Sequence, residues 1–87
     1  MSAIQDKINA GAVIVDVRTP EEFADGAYPN AINIPVQDLG SRAGEIPKNK
    51  PVVLYCASGA RSAFAVRMLK ANGWTDVVNG GGLSDMP

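Results

Sequence analysis

Two short apolar runs limit what this chain can become. Val13-Ile14-Val15-Asp16-Val17 is β-branched without polar alternation, and Val52-Val53-Leu54-Tyr55 is apolar throughout. A strand with one wet face alternates, whereas one that does not is covered on both sides, as in a parallel sheet sandwiched by helices. Helical patterns fall between the strand-like runs, and that rhythm implies parallel strands joined by helical crossovers. The expected fold is α/β, an open, mostly parallel sheet of four to five strands with helices on both faces. At 87 residues the expectation is a single domain over 1–87, near the small end of what can bury its own core.

Local signals place the remaining elements. Ser2-Ala3-Ile4-Gln5 reads as a capping box, with Ile4 and Ile8 stacked one turn apart and Gly11 as the stop. Thr19-Pro20-Glu21-Glu22 starts a second helix, with Thr19 as N-cap, Pro20 at the first helical position and Glu22 reaching back. Gly26 and Pro29-Asn30 break it, and Ala31 to Ile34 is a short strand stopped by Pro35. Val36 to Glu45 is weakly helical, interrupted by Gly40 and Gly44. Pro47 to Pro51 is a turn whose lysines are read as solvated. Ser62 to Asn72 is the strongest helix, with Gly73 as its left-handed stop and Trp74 as a core plug. Asp76 to Asn79 is the last strand, and Gly80-Gly81-Gly82 reads as a flexible turn beyond it.

The chain has one cysteine, and its position matters more than its number. Cys56 ends the central apolar run and opens Cys56-Ala57-Ser58-Gly59-Ala60-Arg61-Ser62, which leads into the strongest helix. A free cysteine is most often an inert, buried small hydrophobe. A core cysteine, however, usually lies inside an element, whereas the carboxyl end of a parallel strand is where ligands bind. The helix N-terminus there carries roughly half a positive charge and unpaired amides, and Arg61 adds a full charge. Such surroundings favour thiolate, the nucleophilic form.

Composition removes several alternatives. The chain has no histidine, which excludes Ser-His-Asp and Cys-His catalysis and argues against a zinc site. One cysteine forms no internal disulfide. Eight basic and nine acidic residues give a net charge of −1 without any run of one sign, so neither nucleic acid nor a membrane surface is an expected partner. No apolar stretch approaches the ~20 residues of a membrane-spanning helix, and Met1 to Lys7 lacks the features of a signal peptide. The expected compartment is cytoplasmic, or periplasmic if a signal peptide was removed.

Tyr55 to Ser62 resembles the active-site loop of the rhodanese-like sulfurtransferases. Three further segments match that family in order: Asp16-Val17-Arg18-Thr19-Pro20-Glu21-Glu22-Phe23, Gly26 with Ala31-Ile32-Asn33-Ile34-Pro35, and Asn79-Gly80-Gly81-Gly82-Leu83. The similarity runs from about Gly11 to Leu83, in the manner of the small single-domain phage-shock-protein E type. It departs from many members in reading Gly26-Ala27-Tyr28 where they have Gly-His, and in starting at the first helix without a leading strand. Arg18 and Glu22 belong to the family pattern, and a local ion pair at the start of the helix accounts for both. Asp16, at a strand end facing the cleft, suits either a site or a structural role.

The resemblance implies thiosulfate sulfurtransferase chemistry. Cys56 would take a sulfane sulfur from thiosulfate or another persulfide or polysulfide donor, hold it as a persulfide, and pass it to cyanide or a thiol. Ala57, Ser58, Gly59, Ala60, Arg61 and Ser62 would bind the substrate, with the amides holding the persulfide and Arg61 the anionic donor. No metal or organic cofactor is implied. Partners would be the small anionic donor and the acceptor, and the protein a monomer. Two rival functions stand beside it. The related cysteine phosphatases place five residues between Cys and Arg, whereas Ala57 to Ala60 makes four here, and the loop lacks an acid to protonate a leaving group. A non-catalytic docking or sulfur-carrier module is the other, since the same loop serves a carrier and a turnover enzyme.

Overall fold

The computed structural model describes residues 3–87. Its elements are α1 (Ala3–Asn9), β1 (Val13–Asp16), α2 (Pro20–Ala24), β2 (Ile32–Asn33), α3 (Leu39–Arg42), β3 (Val52–Cys56), α4 (Ala60–Ala71) and β4 (Val77–Gly82). All strand pairs are parallel, and the order across the sheet is β2-β1-β3-β4. The sheet thus has four strands among the described residues, the lower of the expected counts.

Burial follows the reading of the two apolar runs. All five residues of β3 are buried, as a strand covered on both faces must be. Val52, Leu54 and Cys56 face a core shared with Val15, Val17, Leu39, Ala65, Leu69 and Trp74. By strand alternation Val53 and Tyr55 point the other way and are equally buried, and α1 packs on β3.

Most local signals act as read. Thr19 and Glu22 form the reciprocal capping box of α2, with Pro20 in its first turn. Gly11 and Gly73 both take left-handed backbone after their helices. Gln5 lies in α1, but the proposed cap Ser2 lies outside the described residues. The weakly helical stretch becomes a single α-helical turn between two 3₁₀ turns, Val36–Asp38 and Ala43–Glu45. Trp74 is buried, and its indole N–H donates to the Pro47 carbonyl at 3.1 Å. Lys48 is more than solvated, because its ammonium lies 4.4 Å from the centre of the Trp74 ring.

Three expectations need correction. The glycine triplet is no turn: β4 runs through it to Gly82. The pairing steps from Leu54 opposite Asn79 to Tyr55 opposite Gly81, so Gly80 is the extra residue of a bulge. A side chain would not fit this end of the strand, since a β-carbon at position 82 would collide with the Ala57 carbonyl oxygen. The strongest helix begins at Ala60 rather than Ser62, because Gly59, with φ of 98°, serves as its N-cap. Arg18 and Glu22 do not pair with each other. The Arg18 guanidinium grips both carboxylate oxygens of Asp16, at 2.7–3.1 Å, while Glu22 pairs with Arg61.

Asp16 has no exposed surface and is satisfied by a network rather than opened to the cleft. Besides the Arg18 guanidinium it accepts from the Arg18 N–H at 2.9 Å and from the Tyr55 hydroxyl at 2.7 Å. The same hydroxyl accepts from the Tyr28 N–H at 3.0 Å, and Arg18 also donates to the Gly26 carbonyl at 2.8 Å. Tyr55→Phe would take a donor from the carboxylate and an acceptor from Tyr28, a loss of about 1–3 kcal/mol for groups left unsatisfied. The expected result is a lower urea midpoint at unchanged m-value. A midpoint equal to wild type would mean that water replaces the hydroxyl.

Candidate active site

The site grows from the carboxyl end of β3. Cys56 is the last residue of that strand, and α4 starts four positions later, so Ala57, Ser58 and Gly59 must turn the chain in a very short space. The left-handed Gly59 makes the turn and aims its own N–H at the sulfur, 3.0 Å from Sγ. Ser62, in the first turn of α4, brings its hydroxyl to 3.4 Å from Sγ. Gly82, paired with Cys56 in the sheet, packs against the Ala57 carbonyl, and Gly81 lies beside Gly59. Cys56 itself is fully buried beneath a loop whose Ala57, Ser58 and Ala60 are exposed.

These contacts decide the state of the thiol. Burial pushes its pKa up, because the anion loses water. Against that act the Ser62 hydroxyl and the N–H groups of Ser62, Ser58 and Gly59, and the donors win, bringing the pKa down to about 7. Cys56 is therefore poised between thiol and thiolate near neutral pH. Neutral dipoles held in place stabilise charge without having to reorganise.

Arg61 is engaged by a carboxylate from α2. Its guanidinium forms a forked pair with Glu22, at 2.8 and 3.1 Å. The pair raises the Arg61 pKa, first through the hydrogen bond to Glu22, with the Cys56 charge contributing less. Hydrogen bonds from Arg61 first, then from the Thr19 N–H, hold Glu22 down at about 2. The cation thus stands at the loop with a carboxylate already attached. Next to it, Ala60 and Arg61 join Val36, Gln37 and the exposed Phe64 around a cavity of about 340 Å³.

The loop residues divide into groups. Ser58, Gly59 and Ser62 converge on the sulfur, Arg61 turns to Glu22, Ala60 borders the cavity, and Ala57 is pinned by Gly82. Sequence reasoning gave no role to Asn79. Its side chain accepts from the Ser62 hydroxyl at 2.7 Å and the Gly81 N–H at 2.9 Å, and donates to the Gly59 carbonyl at 3.1 Å. Its place before the glycine triplet in the matched segment was the available signal. Among the described residues no group of His, Cys, Asp or Glu is arranged to hold a metal ion, and no helix is long and apolar enough to cross a membrane.

A four-stranded parallel sheet, a cysteine at the end of its inner strand and a tight amide loop define a recognised class. The rhodanese-like domain family matches residues 1–85, and the chain belongs to that sulfurtransferase family. Among its relatives is a sulfurtransferase of Allochromatium vinosum, 45% identical over 67 residues, an overlap covering 77% of this chain and 63% of that protein. This chain thus spans less than two thirds of that relative's length. The thiosulfate sulfurtransferase PspE of Escherichia coli is 40% identical over 74 residues, covering 83% of this chain and 71% of PspE. A solved E. coli structure described as rhodanese with anions superposes with a TM-score of 0.81 at 38% identity, covering 88% of this chain and 95% of that one.

The thiol geometry has a direct test. Alkylation by iodoacetamide is expected to rise with pH along a single titration centred near 7, below the ~8.5 of a free thiol. Ser62→Ala should move the midpoint upward, because a donor to the anion is lost. A wild-type midpoint at or above the free value would show that burial outweighs the donors.

Proposed function

We propose that the protein is a thiosulfate sulfurtransferase that works through a Cys56 persulfide. The observation that carries this reading is the convergence of the Gly59 N–H and the Ser62 hydroxyl on the only thiol of the chain. In the first half-reaction the Cys56 thiolate attacks the sulfane sulfur of thiosulfate. The new S–S bond forms as the old one breaks, and sulfite leaves with the bonding electron pair. In the second, cyanide or a thiolate attacks the outer sulfur of the persulfide, and Cys56 departs as thiolate. Electrons balance without any external oxidant or reductant, and the chemistry calls for no cofactor.

The amides of Ser58, Gly59 and Ser62 serve both half-reactions, because negative charge sits on Cys56 Sγ in the free enzyme and on the outer sulfur of the persulfide after loading. Arg61 binds the anionic donor, and its planar guanidinium suits an oxyanion through two parallel bonds. Thiosulfate must then share or displace Glu22. That the curated relative PspE carries the name thiosulfate sulfurtransferase supports the choice of donor.

Intact mass spectrometry after incubation with thiosulfate is expected to show one added sulfur, removed by cyanide. Cys56→Ser should show neither the adduct nor turnover, while keeping its thermal unfolding profile. Turnover in that variant would overturn the assignment.

Glu22→Gln tests the donor site. Glutamine still caps α2 but no longer holds the Arg61 charge. The KM for thiosulfate is expected to fall about two- to fivefold, the scale of a half-exposed surface ion pair, with little change for an uncharged donor. Equal change for both donors would place Arg61 in loop shape rather than donor binding.

A further inference from the structure

The Ser62 hydroxyl has one proton and more acceptors than it can serve. Cys56 Sγ lies at 3.4 Å, the Gly59 carbonyl at 3.3 Å and Asn79 Oδ1 at 2.7 Å. When the sulfur is a neutral thiol, the short contact to Asn79 is the best of these. When the sulfur is an anion, a charge-assisted bond to it is about twice as strong as a neutral one, and the proton turns toward sulfur. Asn79 Oδ1 then still has the Gly81 N–H at 2.9 Å. Ser62 is fully buried whereas Asn79 is exposed, so the hydroxyl has a dry partner on one side and a wet one on the other.

We propose that Asn79 is a positioning residue of the loop, which competes with Cys56 for the Ser62 proton and so sets how strongly the site donates to the sulfur. Asn79 touches neither the sulfur nor a substrate in this role and acts through Ser62. Its amide, donating to the Gly59 carbonyl at 3.1 Å, keeps it in register with the turn that carries the other donor. The bulge at Gly80 is what allows this placement. It leaves Asn79 paired with Leu54 while the next paired residue, Gly81, folds back so that its N–H reaches the Asn79 side chain. The inference deepens the reading of Cys56 as the reactive group and rests on it.

Other charges near Cys56 come from three sides. Arg61 of α4 is paired with Glu22 of α2, Asp85 accepts from the Gly82 N–H at 2.9 Å, and Asp16 with Arg18 lies beyond Tyr55. The test must therefore separate the hydroxyl from direct charge effects. Asn79→Asp keeps the acceptor for the Ser62 hydroxyl and the Gly81 N–H, makes it anionic, and gives up the amide donor to the Gly59 carbonyl, a loss that Asn79→Ala shares and so controls for. At high salt, where an exposed charge is screened, alkylation of Cys56 at neutral pH should slow about threefold as the thiolate fraction falls. In the Ser62→Ala background the same substitution should add no comparable slowing, since no hydroxyl remains to be diverted. Asn79→Ala removes the competitor, and the alkylation midpoint should lie at or below that of wild type.

A midpoint raised by Asn79→Ala as much as by Asn79→Asp would overturn the inference and make Asn79 a brace. Full slowing by Asn79→Asp without Ser62 would overturn it too, leaving only direct charge. Thermal unfolding checks each variant, and the alanine variant decides alone if the aspartate variant does not fold. Alkylation uses no sulfur donor, so the outcome is separate from sulfurtransfer. A protein that accepts no sulfur yet shows these shifts refutes the proposed function and supports the role of Asn79.

Discussion

The buried carboxylate of Asp16 joins the end of β1, the end of β3 and the loop after α2. An unpaired charge at such a depth would be prohibitive, and breaking a buried pair by removing one partner typically costs several kcal/mol. Here each oxygen is bonded, to the Arg18 guanidinium, the Arg18 N–H and the Tyr55 hydroxyl. Tyr55 is the residue before Cys56, so the network fixes the strand end from which the loop departs. The Asn33 amide adds to it by bonding the Asp16 and Arg18 carbonyls, both at 3.0 Å. A tight turn can aim its amides at a sulfur only if its point of departure does not move.

Neutral donors, not the arginine, surround the sulfur closely. A guanidinium committed to the thiolate would be less available to an incoming anion, and one left bare would invite any anion present. Pairing it with Glu22 avoids both outcomes, because that bond is only half-buried and can exchange. If Arg61 receives the donor as proposed, the charge near the mouth is held in reserve, while the fixed dipoles of the loop act on the sulfur continuously.

Much of this was legible because it is local. The β-branched run from Val13, the capping box at Thr19 and the stops at Gly11 and Gly73 act within a few residues, and each forms as its chemistry dictates. The place of Cys56 at a strand end was legible for the same reason. What the sequence hid depends on pairing across the fold. Glu22 and Arg61 are thirty-nine positions apart, and only the strand order brings them together. Arg18 looked forward in sequence to Glu22 but turned back to Asp16, whose burial demanded the charge. The glycine triplet carries the composition of a turn, yet its glycines answer a need for close approach to Ala57. Ser62 looked like the start of a helix that a left-handed Gly59 had already begun.

A sulfur whose pKa lies near 7 is also a good leaving group. In thiol–disulfide exchange the attacking thiolate loses nucleophilicity as its pKa falls, with a Brønsted coefficient of about 0.4–0.5, while the departing sulfur leaves faster. On the proposed mechanism the sulfur must first attack and then depart, and the best compromise for that is a pKa close to the ambient pH. By offsetting burial with a small set of donors, the loop brings Cys56 to that compromise. In the proposed cycle a loop with stronger donors would make Cys56 a better anion but a poorer attacker, and one with weaker donors would load sulfur and then be slow to release it.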